Sequence, residues 1–216
     1  MIINNGIKYK ENNTDELVVL GFDTRIYHTA VNIPSYVDGK PVVAIAPSAF
    51  ENETTLKEIN LPKTIKTIGK YAFAFCEELV YFSCDSDTLH IEECAFSECV
   101  NLEVFLVADC VTLAGNYVFE YCEYIKEFNA RFVGEIPIGT FRGCSHLQSF
   151  TFENIISIAY NAFAGCSRLV RLIVKHDFLY TKDFEEILEQ ATIQCDKNSK
   201  FIELGYEGKK VIVKKV

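Results

Sequence analysis

Tryptophan is absent from the 216 residues, methionine occurs once, and Lys plus Arg (21) fall short of Asp plus Glu (30), leaving a formal net charge of −9. A nonspecific nucleic-acid binder needs clustered basic charge, so no nucleic-acid partner is expected. No apolar run approaches the ~18 residues of a membrane-spanning helix, which argues against membrane insertion. The opening stretch MIINNGIKYKENN lacks the basic-then-apolar order of a secretory signal, and no signal peptide is expected in this chain. Chemistry-bearing motifs are missing too. The nine cysteines form no C-x-x-C, and the chain is far longer than the small disulfide-stapled class, so reduced thiols are expected. There is no G-x-S-x-G, phosphate-binding loop or dinucleotide fingerprint. His28, His90, His146 and His176 are scattered, and the nearest grouping, His90 with Cys94 and Cys99, has no metal-ligand spacing. No catalytic residue, metal or cofactor is expected, and the chain does not read as an enzyme.

What is abundant is phenylalanine (17) and a regular beat. Phe50, Phe73, Phe96, Phe119, Phe141 and Phe163 are separated by 23, 23, 23, 22 and 22 residues. The sixth residue after each is Leu56, Leu79, Leu102, Ile125, Leu147 and Leu169; the ninth is Ile59, Phe82, Phe105, Phe128, Phe150 and Leu172. The eleventh is Leu61, Cys84, Val107, Ala130, Phe152 and Val174, and five residues before each Phe stand Ile45, Ile68, Ile91, Ala114, Ile136 and Ile158. Self-similarity at a period of 20 to 30 residues is the signature of a solenoid, whose coils cannot bury their own apolar face and must stack. Alternation at the ninth and eleventh positions is that of a strand with one face buried. The apolar spacing of three around A-F-x-x-C predicts a short helical or 3₁₀ turn on the outer side.

The pattern A-F-x-x-C-x-x-L-x-x-I-x-L-P-x-x-I-x-x-I-G-x-x-A-F, clearest over Ala49–Phe73 and continuing to Val174, resembles the BspA-like (Treponema-type) leucine-rich repeats. Glu53 departs from it where the first Cys would stand, as do Val118 and Thr140 at the Ala position. The resemblance implies an α/β solenoid, a right-handed leucine-rich superhelix of six coils with a parallel concave sheet. It implies a protein or other macromolecular ligand, a cell-surface or secreted setting, and no catalytic residues. Residues 1–40 read as an N-terminal cap, a β-hairpin of IKYKE and ELVVLGF around a polar NNTD followed by an Asp38-Gly39 turn into the first coil, residues 41–175 as the solenoid, and residues 176–216 as a C-terminal cap of a helix and a β-hairpin, all one continuous domain. In that last segment Phe184, Ile187, Leu188 and Ala191 follow an Asp183 N-cap at helical spacing. Two strands are expected around Glu207-Gly208. Six lysines from Lys197 to Lys215 are expected to protect a terminal edge.

Five cysteines, Cys76, Cys99, Cys122, Cys144 and Cys166, stand three residues after their Phe. A functional thiol is singular and sits beside a basic group or a histidine; five at one phase of a core read as a packing ladder. Cys84 falls in the inward strand row, whereas Cys94, Cys110 and Cys195 lie off the ladder and are expected to be more exposed. A serine at position 122 would bury a hydroxyl without an assured partner. Binding is expected on the outward strand residues, where Tyr81, Val104 and Leu106 form an apolar patch and Glu58 and Glu127 set the charge around it. A binding module of adhesin type is the leading reading. An intracellular scaffold, or a purely architectural repeat protein, is the alternative.

Overall fold

The computed structural model describes residues 1–23, 28–174, 179–180 and 192–195. The chain begins with β1 (Ile2–Asn4), β2 (Ile7–Glu11) and β3 (Leu17–Phe22), paired antiparallel. β4 (Ala30–Asn32) follows, then the hairpin of β5 (Tyr36–Val37) and β6 (Lys40–Ile45), closed by Asp38 and Gly39 at φ 52° and 79°. Each later coil supplies residues to two rows. These are β7 (Glu58–Leu61) and β8 (Thr67–Ile68), then β9 (Tyr81–Cys84) and β10 (Thr88–Glu92). Two long strands, β11 (Val104–Ala114) and β12 (Asn129–Ile136), come next. β13 (Ser149–Phe152), β14 (Ile155–Ile158), β15 (Arg171–Val174), β16 (Leu179–Tyr180) and β17 (Thr192–Cys195) complete the order.

In the first row β4, β7, β9 and β11 pair in parallel, and β13, β15 and β17 continue as a separate three-stranded sheet. In the second row β3, β6, β8, β10, β11, β12, β14 and β16 run parallel without a break. This second sheet was not expected from the sequence. Five of the six residues five before a Phe line its inward side, Ile45, Ile68, Ile91, Ile136 and Ile158, all buried; Ala114 is exposed instead, and Leu113 takes the inward place beside Ile91.

Two further expectations are corrected. No helix occurs among the described residues, so the architecture is a β solenoid and not α/β. Nor do the coils stop near Lys175: β16 pairs in parallel with β14, and β17 with β15, so a seventh turn follows the sixth. The remainder of the expected C-terminal cap, with the helix at Asp183–Ala191 and the lysine-bearing hairpin, lies outside the described residues.

The A-F-x-x-C segment is a ladder of tight turns and not a helical or 3₁₀ turn. Each Cys N–H does return to its own Phe carbonyl, as Cys76 to Phe73 at 3.2 Å. The Phe N–H points out of the coil, to the residue preceding the next Phe: Phe50 to Ala72 at 2.8 Å, Phe73 to Ala95 at 2.8 Å, Phe119 to Thr140 at 2.8 Å. That alternation requires left-handed backbone two residues before and two after each Phe. It is present in every coil, for example at Tyr71 (φ 58°) and Phe75 (60°), and at Gly139 (61°) and Gly143 (76°). A helical turn needs right-handed values throughout, and those would direct all N–H groups along one coil.

Inside, the six repeat phenylalanines stack face to face or tilted at 4.9–5.7 Å, and Phe82 and Phe105 form a second file at 4.9 Å. Such contacts add about 0.5–1.5 kcal/mol per pair beyond area burial. Thr140 replaces Ala at no polar cost, because its hydroxyl donates to the Pro137 carbonyl at 2.8 Å. The leading end closes on the first coil at Gly21, φ 111°, where a Cβ would stand 1.9 Å from the Ala49 carbonyl oxygen.

Candidate functional site

The cysteine ladder is tied to the stacking of coils. All five thiols are buried, and each donates to the carbonyl of the preceding coil's Phe. Cys76 reaches Phe50 and Cys99 reaches Phe73, both at 3.0 Å; Cys122, Cys144 and Cys166 reach Phe96, Phe119 and Phe141 at 3.2 Å. The Phe73 carbonyl therefore accepts from Cys76 N–H within its coil and from the Cys99 thiol across the interface. Glu53 stands at this position in the first copy, which no earlier copy of the repeat precedes. Burial pushes the Cys76 and Cys166 thiols up to about 12 and drives Cys99, Cys122 and Cys144 well above the ordinary thiol range. A thiol so reluctant to ionise is a poor nucleophile and metal ligand.

Cys84 is buried likewise, and burial pushes it up to about 11. Cys94 corrects an expectation: it is only 9% exposed and its thiol is also raised by burial, which leaves Cys110 as the half-buried thiol among the described side chains. Cys195 lies in β17, but its side chain is outside the described residues. His90 does not turn toward Cys94 or Cys99; its Nδ1 is 2.8 Å from the Thr112 hydroxyl on the neighbouring strand.

On the first row, the residues that alternate with the core face outward. Register places Tyr81 directly between Glu58 and Val104, and Leu106 between Ser83 and Asn129. Four of the five expected binding residues thus lie in two adjacent files. Tyr81, Val104 and Leu106 are half-buried rather than fully exposed, since neighbours on a parallel sheet cover one another's flanks. On the leading side the file becomes polar: Ser83 Oγ donates to Asn60 Oδ1 at 2.5 Å, and Asn60 Nδ2 donates to Asn32 Oδ1 at 2.9 Å.

Glu127 belongs to a different feature. Where the first row parts between β12 and β13, a groove of about 650 Å³ opens, lined by Val104, Glu127, Gln148, Ser149, Val170 and Arg171 among others. A smaller cavity of about 240 Å³ adjoins it, bordered by Phe128, Phe132 and Phe150. Val104 joins the apolar file to the groove. Tyr81, Leu106 and Glu58 do not line it. Val170 is 58% exposed, and Arg171 and Gln148 are exposed beside it.

Sequence reasoning missed Gln148, Val170 and Arg171 as site residues, yet a signal was present. The stretch from the eleventh position to the next second-row apolar residue spans seven residues in the first three coils (Leu61 to Ile68) and six from the fourth onward (Ala130 to Ile136). Register shifts at Leu106/Cys110 and at Gly134/Glu135 mark where the pairing absorbs that change. A one-residue change in strand phase exchanges inward and outward sides unless a bulge takes it up. Charge on the groove is mixed, with Glu103, Glu127, Lys126 and Arg171 all among its lining residues.

A family model described as a BspA type leucine-rich repeat region matches six copies over residues 43–170. Among solved structures, the chain is similar to a leucine-rich repeat protein of T. pallidum, with TM-score 0.71 and 23% identity over 98% of this chain and 99% of that one. It is also similar to a leucine-rich repeat protein of Bacteroides ovatus, with TM-score 0.56 and 22% identity over 92% of this chain and 66% of the other. At such identities the likeness shows the fold. No curated protein matches the chain. No helix among the described residues is long and apolar enough to cross a membrane.

Proposed function

The chain belongs to the BspA-type leucine-rich repeat family, and on that premise we propose that it is a protein-binding module acting through the outward face of its first sheet row, in an adhesin-like role at a microbial surface. Leucine-rich repeat proteins are in general non-enzymatic interaction scaffolds, which supports the class. The observation that carries the choice of face is the meeting at Val104 of two features, the Tyr81–Val104–Leu106 patch and the groove of about 650 Å³. An aromatic anchor beside apolar strand residues, next to a cleft rimmed by charge of both signs, suits a protein surface with a central apolar contact and a polar rim. In this reading Tyr81 anchors the partner, Val104 and Leu106 extend the apolar contact, and Glu58 and Glu127 select for basic groups on it.

The test is capture of purified host-matrix proteins on immobilised chain, compared with the double variant Tyr81→Ala/Leu106→Asp and with Arg171→Glu in the groove. The double variant should lose capture by tenfold or more, on the order of 1.4 kcal/mol, with an unchanged melting profile. Full retention of binding in both variants would remove the site from this face.

A further inference from the structure

The parting of the first row leaves an open strand edge inside the solenoid. Coil four runs from one row into the other as a single strand, β12, whereas coil five turns a corner at Glu153 and Asn154 between β13 and β14. The two backbones touch where Gln148 N–H donates to the Lys126 carbonyl at 2.9 Å, and again where Gly134 N–H donates to the Asn154 carbonyl at 3.0 Å. Between those points they separate. Paired strands elsewhere keep Cα atoms within 8 Å of one another along their length, and β12 and β13 do not. The opening therefore exceeds the single strand spacing of about 4.8 Å.

The pairing on the far side of β13 shows which groups are left over. Arg171 N–H donates to the Gln148 carbonyl at 3.1 Å, with Ser149 opposite Arg171 and Phe150 opposite Leu172. In a parallel ladder alternate residues turn their N–H and C=O to opposite sides, so Phe150 bonds β15 while Ser149 and Thr151 direct theirs to the opening. Ser149 is half-buried, Thr151 is exposed, and both line the cavity of about 240 Å³ there. The strand, Ser149-Phe150-Thr151-Phe152, carries none of the Lys, Pro or bulges that protect an edge.

We propose that an extended stretch of the partner protein adds here as a further strand, hydrogen-bonded to the backbone of Ser149 and Thr151. This mode of binding rests on the protein-binding reading above. The edge decides the class, because alternating free N–H and C=O groups are matched by another polypeptide in β conformation. Side chains set the selectivity. An inward side chain of the added strand meets the cavity bordered by Phe128, Phe132 and Phe150, and Phe128 is the one ninth-position residue that is not buried. A small apolar residue such as valine suits that place. Outward side chains stand between Glu127 and Arg171, which border the opening and form no ion pair among the described residues.

Amide exchange on full-length ¹⁵N-labelled chain tests the edge. In the free chain the Ser149 and Thr151 amides should exchange fast and the Phe150 amide slowly. The capped peptide Ser-Val-Thr-Val-Ser at saturation should slow Ser149 and Thr151 by about tenfold. The same peptide N-methylated at every residue keeps the side chains, loses the backbone donors, and should protect neither. Thr151→Pro, tolerated on an edge whose N–H faces the opening, should abolish peptide binding with little change in melting temperature. Slow exchange of Ser149 and Thr151 in the free chain would overturn the proposal, as would equal protection by the two peptides or none by the unmodified one. If Thr151→Pro captures host-matrix proteins as the parent chain does and Tyr81→Ala/Leu106→Asp does not, strand addition is overturned while the reading of the face stands.

Discussion

The first four coils and the last two share one inward pattern but hold the same left-handed turn with different residues. In the leading coils the left-handed positions around each Phe are held by Ser48, Asn52, Tyr71, Phe75, Cys94 and Glu98, and in the fourth by Tyr117 and Tyr121. In the trailing coils they are held by Gly139, Gly143, Asn161 and Gly165. The φ values agree, 53–61° for the side-chain-bearing residues and 61–79° for the glycines. Left-handed backbone is disfavoured for bulky residues such as Tyr and Phe and free for glycine. The conformation is therefore imposed by the coil-to-coil hydrogen bonds, and glycine enters where an extra demand exists. That demand is room: a Cβ on Gly139 or Gly143 would sit 2.4 Å from the ring of Tyr117 or Tyr121 on the coil before. The trailing half is also where the first row has parted and the groove lies.

The largest effect should come from the ring that joins the halves. Phe119 stacks on Phe96 at 5.3 Å and on Phe141 at 5.7 Å, so Phe119→Ala should cost about 3–5 kcal/mol in urea unfolding, in a single transition. Two transitions would show that the halves unfold separately. Gly139→Ala comes next, at about 1–3 kcal/mol, from a strained φ and the clash with Tyr117. If glycine stands there for room, Tyr117→Ala should recover part of that loss in a double-mutant cycle; strict additivity would leave backbone strain as the whole cause.

Cys122→Ala should cost about 1–2 kcal/mol by leaving the Phe96 carbonyl short of one donor. Cys122→Ser should cost less, because its hydroxyl inherits that acceptor, which replaces the sequence expectation of a partnerless hydroxyl. A serine variant worse than alanine would show that thiol size, not its hydrogen bond, matters. In the same protein Cys110 should alkylate under native conditions while the ladder does not.

The smallest effect concerns Glu98 in the leading half. Its carboxyl is raised by partial burial and by Glu120, Glu123 and Glu77 around it. The folded chain thus binds the proton more readily than the unfolded one, so this group's contribution to stability grows as pH falls from neutral toward 4.5 and is flat below. Glu98→Asn should flatten that slope and, since asparagine tolerates left-handed backbone, raise the neutral-pH melting point slightly. An unchanged slope would place the titration elsewhere.

Much of this was legible in the residues. The strand through the ninth and eleventh positions, with those side chains inward, and the burial of the cysteine ladder all rest on period-two alternation and a constant phase. The outward files of Tyr81, Val104 and Leu106 were legible for the same reason. The A-F-x-x-C turn was misread because spacing of three is shared by a helical turn and by a ladder of tight turns. What separates them is the destination of the Phe N–H, which lies 21 or 22 residues further on. Gly139, Gly143 and Gly165, in phase with Tyr117 and Tyr121, were a visible hint of left-handed backbone.

The chain by itself determined that coils stack, how many residues each takes, and which side chains they share as core, because burial of a periodic apolar face follows from local composition. Only the tertiary structure decided the second parallel sheet, the thiol-to-carbonyl bonds between coils and the parting of the first row near Glu127 and Ser149. Each of these depends on how residues distant in the chain meet, through register, hydrogen-bond partner or unfilled space, and no window of sequence carries that geometry.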